Sequence, residues 1–265
     1  MDIRGYIRRQ PWQIEFAIVL ALAFGWMMPA TIHALLASAT PARASVAPIS
    51  NATLWEIVQY EVIFLSLLAP FLYLRGWTFA RLGIRPSLWG ILVGGFLALI
   101  AYGIFFRLAV LAHHWSPAVH RALIHTRTVG WGFSWTAIIL TCAINSFYEE
   151  TFVCGYVVSA LSAMRQNMVT TRTKETADSE KKSAETNAVK IAQPAPASGA
   201  RVSAAVAISV AIRVSYHLYQ GIPGLIAVVP MGLLFGIWYA RTRQLWPLIV
   251  AHAIFDFVGL APRVG

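Results

Sequence analysis

The sequence predicts an all-α, multi-pass transmembrane helical bundle of about seven spans, within a range of six to eight. Three observations predict it. Of the 265 residues, 58% are hydrophobic and only 12% charged, with a mean hydropathy of +0.62. A soluble domain carries about 25% charged residues, so this chain cannot cover itself with polar groups. The apolar residues fall into successive runs near the roughly 20-residue length that crosses a bilayer. The Lys and Arg residues gather in alternate loops, as cytoplasmic loops do.

The elements follow in order. The first run is Ile14 to Leu36, preceded by Arg4, Arg8 and Arg9. It is longer than a secretory apolar region, so it reads as an anchored first span. Further runs lie at Leu54 to Leu74, Leu88 to Ala112 and Ser134 to Leu161. Residues 165–200, with TRTKETADSEKKSAETNAVKIAQPAPASGA, are polar and rich in Ala, Pro and Ser. They read as a disordered loop outside the membrane. Apolar character resumes at Val202 to Leu218, Leu225 to Tyr239 and Leu245 to Leu260. The last two runs are short for a full crossing, which points to tilt or a re-entrant section. One membrane domain results. Residues 1–161 form four N-terminal spans, 162–201 a polar cytoplasmic loop, and 202–265 the C-terminal spans.

Net charge is +10, from 21 Lys and Arg against 11 Asp and Glu. With the N-terminus inside, the inside loops hold Arg4, Arg8 and Arg9, then Arg75, Arg81 and Arg85, then Arg241 and Arg243, with seven more between 165 and 201. The outside segments hold Arg43, Arg121, Arg127 and Arg263. The bias predicts a cell-membrane protein with a cytoplasmic N-terminus. It also accounts for the basic balance without nucleic acid, since no basic stripe is interleaved with exposed aromatics. Basic residues of the long loop add weak attraction to anionic lipid. Trp12, Trp55, Trp77, Trp89, Trp115, Trp135 and Trp246 fall near span ends, as interfacial aromatics do. Cys142 and Cys154 lie about 18 Å apart along one helix, too far for a disulfide.

Ionisable groups within spans are costly and mark functional sites. Glu15 and Glu56 lie near span ends, within reach of water. Glu61 and Arg107 are deeper and read as a structural ion pair or as inward-facing polar contacts. The other six gather in the C-terminal half. Glu149 and Glu150 sit mid-span in NSFYEETFVCGY, where two adjacent carboxylates are costly to ionise together. Adjacent helical residues point about 100° apart, so one can face a polar cavity while the other makes a structural bond. Arg213 and His217, in RVSYHLYQGIPG, share one helical face, as do His252 and Asp256 in AHAIFD.

This set suits activation of water. A Glu takes a proton from water, and a neutral His shares that water or donates to a leaving amine. A second His with an Asp holds donors toward an oxyanion. The same groups, Glu149, His217 and His252, are also the ligands available to a divalent metal such as zinc, with one position left for water. No H-E-x-x-H, G-x-S-x-G, Walker A or G-x-G-x-x-G pattern is present, and the buried thiols have no adjacent base in sequence.

These residues resemble the CPBP family, the CAAX-prenyl-protease and bacteriocin-processing intramembrane proteases. The family shows Glu-Glu-x-x-x-Arg, Phe-x-x-x-His and His-x-x-x-Asn/Asp motifs on successive helices. Glu149-Glu150 begins the first, with Gly155-Tyr156 beyond it. His217 fits the second and His252 to Asp256 the third, over about residues 145 to 257. Cys154 stands where the motif Arg belongs, and Arg213 where the Phe belongs. The expectation is that Arg213 supplies from the fifth span the guanidinium missing at 154 and pairs with Glu150. The resemblance implies Glu149 as general base and His217 as its water-activating partner. It implies His252 and Asp256 as oxyanion stabilisers and Glu150 as structural. It implies an endopeptidase acting on a membrane-anchored protein or peptide, with no cofactor expected and zinc the alternative. Two rival readings are an inactive scaffold or immunity protein of the same fold, and a proton-coupled carrier.

In this topology Glu149 lies near mid-depth and His217 toward the outer end of its span. For them to meet, the fifth span must run deeper or YHLYQGIPG must re-enter as non-helical backbone, which is allowed where it lines a polar cavity.

Overall fold

The computed structural model of the chain describes residues 10–38, 49–115, 132–163 and 199–264. Among these residues all regular structure is helical, apart from an isolated bridge between Phe133 and Val264. The helices are α1 (Trp12–Phe24), α2 (Met28–Ser38), α3 (Asn51–Leu74) and α4 (Leu88–Trp115). They continue as α5 (Trp135–Glu149), α6 (Gly199–His217), α7 (Gly221–Thr242) and α8 (Trp246–Leu260). The polar loop, the stretch around Arg121 and Arg127, and the residues around Arg4 and Arg43 lie outside the described residues.

The all-α membrane bundle is what the chain forms. Four helices are long and apolar enough to cross a membrane: Asn51–Leu74, Leu88–Ala112, Trp135–Ala163 and Gly224–Thr242. Trp12–Met27 and Trp246–Leu260 are shorter apolar helices. The outward face of α4 carries Leu88, Leu92, Phe96 and Leu99, all exposed. A surface of that kind is stable against lipid tails and costly against water.

Four features differ from the sequence reading. The run Ile14 to Leu36 is not one helix, because a 3₁₀ turn at Gly25–Met27 separates α1 from α2. The short run Leu225 to Tyr239 becomes the 22-residue α7, since flanking Gly and polar residues join the helix. Arg107 is exposed on α4 and not inward-facing; its long stem lets the charge reach polar surroundings. Trp77 lies just past the end of α3 but is buried against the bundle, donating to Glu15 Oε1 at 2.7 Å, and does not face outward.

The two ends of the bundle are chemically distinct. At one end Arg75 pairs with Glu15, and Tyr156 Oη donates to the same carboxylate at 3.0 Å. Arg243 Nη1 donates to Ser159 Oγ at 3.2 Å, and Leu245 N donates to Gly83 O at 2.9 Å. These contacts gather the start of α1, the end of α3, the end of α7 and the start of α8. At the other end Ser50 caps α3, its side chain accepting from Thr53 N at 3.2 Å. There Asn51 Oδ1 accepts from Ser134 N at 3.1 Å, tying the start of α3 to the start of α5.

Small residues let the helices that carry the site approach closely. A Cβ on Gly94 of α4 would lie 2.7 Å from Val250 Cβ and 2.8 Å from Pro247 O, both on α8. A Cβ on Gly236 of α7 would lie 2.9 Å from Val206 Cγ1 of α6. Gly94→Val is therefore expected to force α4 and α8 apart at a cost of about 1–3 kcal/mol. Thermal unfolding in detergent checks it, with Gly95→Val as the control, since a Cβ there meets nothing within 4 Å.

Candidate active site

The site begins with α5. Ser134 caps it, accepting from Ala137 N. The helix is α-helical to Glu149 and then widens into a π-helix over Glu150–Val158, all of whose residues are buried. A π segment shifts the helical register locally, a feature frequent at functional sites. Its position here coincides with the point where both consecutive carboxylates turn inward: Glu149 is 3% exposed and Glu150 fully buried.

Glu150 joins three helices. Its Oε1 accepts from Arg213 Nη2 of α6 at 2.6 Å and from His252 Nδ1 of α8 at 2.8 Å. Arg213 is itself fully buried. A buried carboxylate and guanidinium are tolerable inside an apolar bundle only as such a pair. The structure thus brings Arg213 to Glu150 in the arrangement expected from the relocated guanidinium. Cys154, one turn beyond Glu150, is buried.

Glu149 has two differently placed oxygens. Oε2 accepts from Tyr216 Oη at 2.9 Å and lies 3.8 Å from Arg213 Nη1. Oε1 lies 3.9 Å from His217 Nε2. That spacing is too long for a direct hydrogen bond and leaves room for a water touching both. His217 Nδ1 lies 2.9 Å from Arg213 O. A carbonyl only accepts, so this contact assigns the hydrogen to Nδ1 and, in the neutral ring, leaves Nε2 as an acceptor.

The meeting of His217 with Glu149 needs no non-helical re-entry. α6 ends at His217, a 3₁₀ turn follows at Leu218–Gln220, and α7 starts at Gly221. Gly232 faces Arg213 and Val210, and Gly236 faces Val206, so α6 and α7 form an antiparallel hairpin. Its turn delivers His217 into the bundle.

Asp256 lies one turn beyond His252, with Oδ2 at 3.5 Å from His252 Nε2. The same oxygen accepts from Asn145 Nδ2 at 3.1 Å. Glu149, His217, His252, Asp256 and Asn145 all line one cavity of about 420 Å³, which also has apolar walls from Phe105, Val228, Met231 and Phe255. All six residues singled out from the sequence are therefore at this site. Tyr216 and Asn145 were not singled out. Both were legible as neighbours: Asn145 is one helical turn before Glu149, and Tyr216 adjoins His217.

The residues fit a metal poorly. Among the described residues no three His, Cys, Asp or Glu side chains are grouped to hold one. Arg213 also brings a fixed positive charge to 3.8 Å from Glu149, where it would repel a dication.

A helical membrane bundle with a carboxylate–histidine site in an apolar cavity is the class of protein that the fold and site define. Residues 130–258 match the family model for type II CAAX prenyl endopeptidase Rce1-like proteins. That region, which holds Glu149, Glu150, Arg213, His217, His252 and Asp256, is thus similar to the CAAX-protease (CPBP) family, a family of membrane proteases. No curated protein and no solved structure matches the chain.

Proposed function

We propose that this protein is an intramembrane endopeptidase that cleaves a membrane-anchored protein or peptide by attack of an activated water. The observation that carries this reading is the 3.9 Å approach of Glu149 Oε1 and His217 Nε2 across a shared cavity. A water placed between them donates one hydrogen to each acceptor. Its lone pair is then turned toward the cavity, where a peptide carbonyl has room to sit. Glu149 removes a proton as the water attacks, and the same proton goes to the departing amine.

Tyr216 holds the other oxygen of Glu149, so the base keeps one oxygen free. The oxyanion needs donors, which an ionised Asp256 lacks. His252 in its imidazolium form donates from Nε2, and Asn145 donates from its amide. Asp256, in contact with both, is a positioning residue. Glu150 and Arg213 fix His252 from behind.

Arg75, Arg81 and Arg243 gather at one end of the bundle, which supports a cytoplasmic placement of that end and of the N-terminus. The buried Arg213–Glu150 pair supplies the guanidinium that Cys154 lacks. This favours an active enzyme over an inactive scaffold.

The test is a comparison of membrane-protein termini by mass spectrometry between cells carrying wild type and Glu149→Gln. Cut sites present in wild type and lost in the variant are expected. Identical profiles with both proteins expressed and folded would remove the protease reading. The proposed route uses no metal, so purified protein is expected to keep its rate within about twofold in excess EDTA or 1,10-phenanthroline. Loss of activity that returns on adding zinc would contradict that route.

A further inference from the structure

A second chamber adjoins the catalytic cavity on its α3 side. It measures about 230 Å³ and shares Glu149, His217, Asn145 and Tyr219 with the first. Its wall includes Glu61, which is fully buried, and neither oxygen of Glu61 has a hydrogen-bond partner among the described residues. An unpaired carboxylate inside an apolar bundle is costly. A chamber that keeps one is suited to a partner that arrives from elsewhere.

The rest of the lining indicates the partner's chemistry. Glu56 contributes a second carboxylate and is exposed. Trp26 and Tyr60 stack with centroids 5.1 Å apart and also line the chamber. Tyr219 stacks on His217 at 6.4 Å. Aromatic faces beside carboxylates attract cations. Among the described residues no Lys or Arg lines this chamber. Ile57 and Met27 offer apolar walls for an aliphatic stem.

We infer that this chamber is a specificity subsite for a Lys or Arg side chain of the substrate, next to the bond that is cut. The inference rests on the protease reading and names the class of substrate that reading leaves open. The stem of the basic side chain lies along Ile57 and Met27, and its head pairs with Glu61. A substrate carboxylate is disfavoured in the same place, because Glu56 and Glu61 would repel it. A membrane-anchored peptide with a basic residue beside the scissile bond is therefore the preferred ligand.

The experiment uses the full chain in lipid nanodiscs. The probes are acetyl-Leu-Leu-Lys-Leu-Leu-amide and the same peptide with Gln or Glu at its centre. Binding is measured by calorimetry on Glu149→Gln protein, which is expected not to cleave them. The Lys peptide is expected to bind at least about tenfold tighter than the Gln peptide, and the Glu peptide weakest. Adding Glu61→Gln is expected to abolish the Lys preference. Equal binding of the Lys and Gln peptides before that change overturns the subsite, as does a preference that survives it. Should Glu61→Gln fail to fold, Glu61→Asp keeps the charge but retracts it, and an undiminished Lys preference there is also contrary. Cleavage of the Lys peptide by protein with Glu149 intact is scored separately. Its absence counts against the protease reading and leaves the binding result standing.

Discussion

Arg213→Ala is expected to destabilise the bundle by about 3–5 kcal/mol and to abolish cleavage. The substitution leaves Glu150, fully buried, without its compensating charge. It also loosens His252, which is held by the same carboxylate oxygen. Thermal unfolding and a cleavage assay on the same detergent preparation check both effects. Adding Glu150→Gln is expected to recover part of the stability, because no buried charge is then left unpaired. Activity should stay lost, since a Gln side chain does not bind His252 as a carboxylate does. A sharper variant tests relocation of the guanidinium. Cys154→Arg with Arg213→Phe returns the motif residues to the positions that the family motifs give them, and some cleavage should return relative to Arg213→Ala. No recovery at all in a folded double variant would sink the relocation idea.

His217→Ala is the second large effect, and its signature is the opposite. His217 is partly buried, and its Nδ1 contact is with a backbone carbonyl of its own helix. No buried charge is stranded by its removal. Cleavage is expected to fall by about 10²–10⁴ while thermal stability stays close to wild type. A loss of stability comparable to that of Arg213→Ala would assign His217 to the frame and not to the chemistry.

The contrast between these residues explains what could be read from the sequence. Apolar runs depend on local composition, so the helical membrane bundle was legible among the described residues. The spacing of Arg213 to His217 and of His252 to Asp256 is one helical turn, which places each pair on one face without any tertiary knowledge. The order of contacts was less accessible. Nothing local says that Glu150 Oε1 is shared by Arg213 and His252, or that Asp256 holds Asn145. Those facts depend on how three helices pack. The break at Gly25–Met27 was hidden for a related reason. Its residues are as apolar as their neighbours, so hydropathy runs through the turn without change. Arg107 faces outward because depth along a helix does not fix azimuth, and composition carries only the depth. Glu61 lies on the opposite outcome of the same ambiguity, facing inward, where it lines the second chamber.

The central claim is that Glu149 and His217 act on one water. A double-mutant cycle on the turnover of a cleaved membrane-anchored peptide tests it most directly. Groups that act as a unit give non-additive losses. A shared water predicts that Glu149→Gln with His217→Ala is no slower than the slower of the two single variants. Losses that multiply, with all three proteins folded, would contradict a shared water and separate the two residues into independent roles.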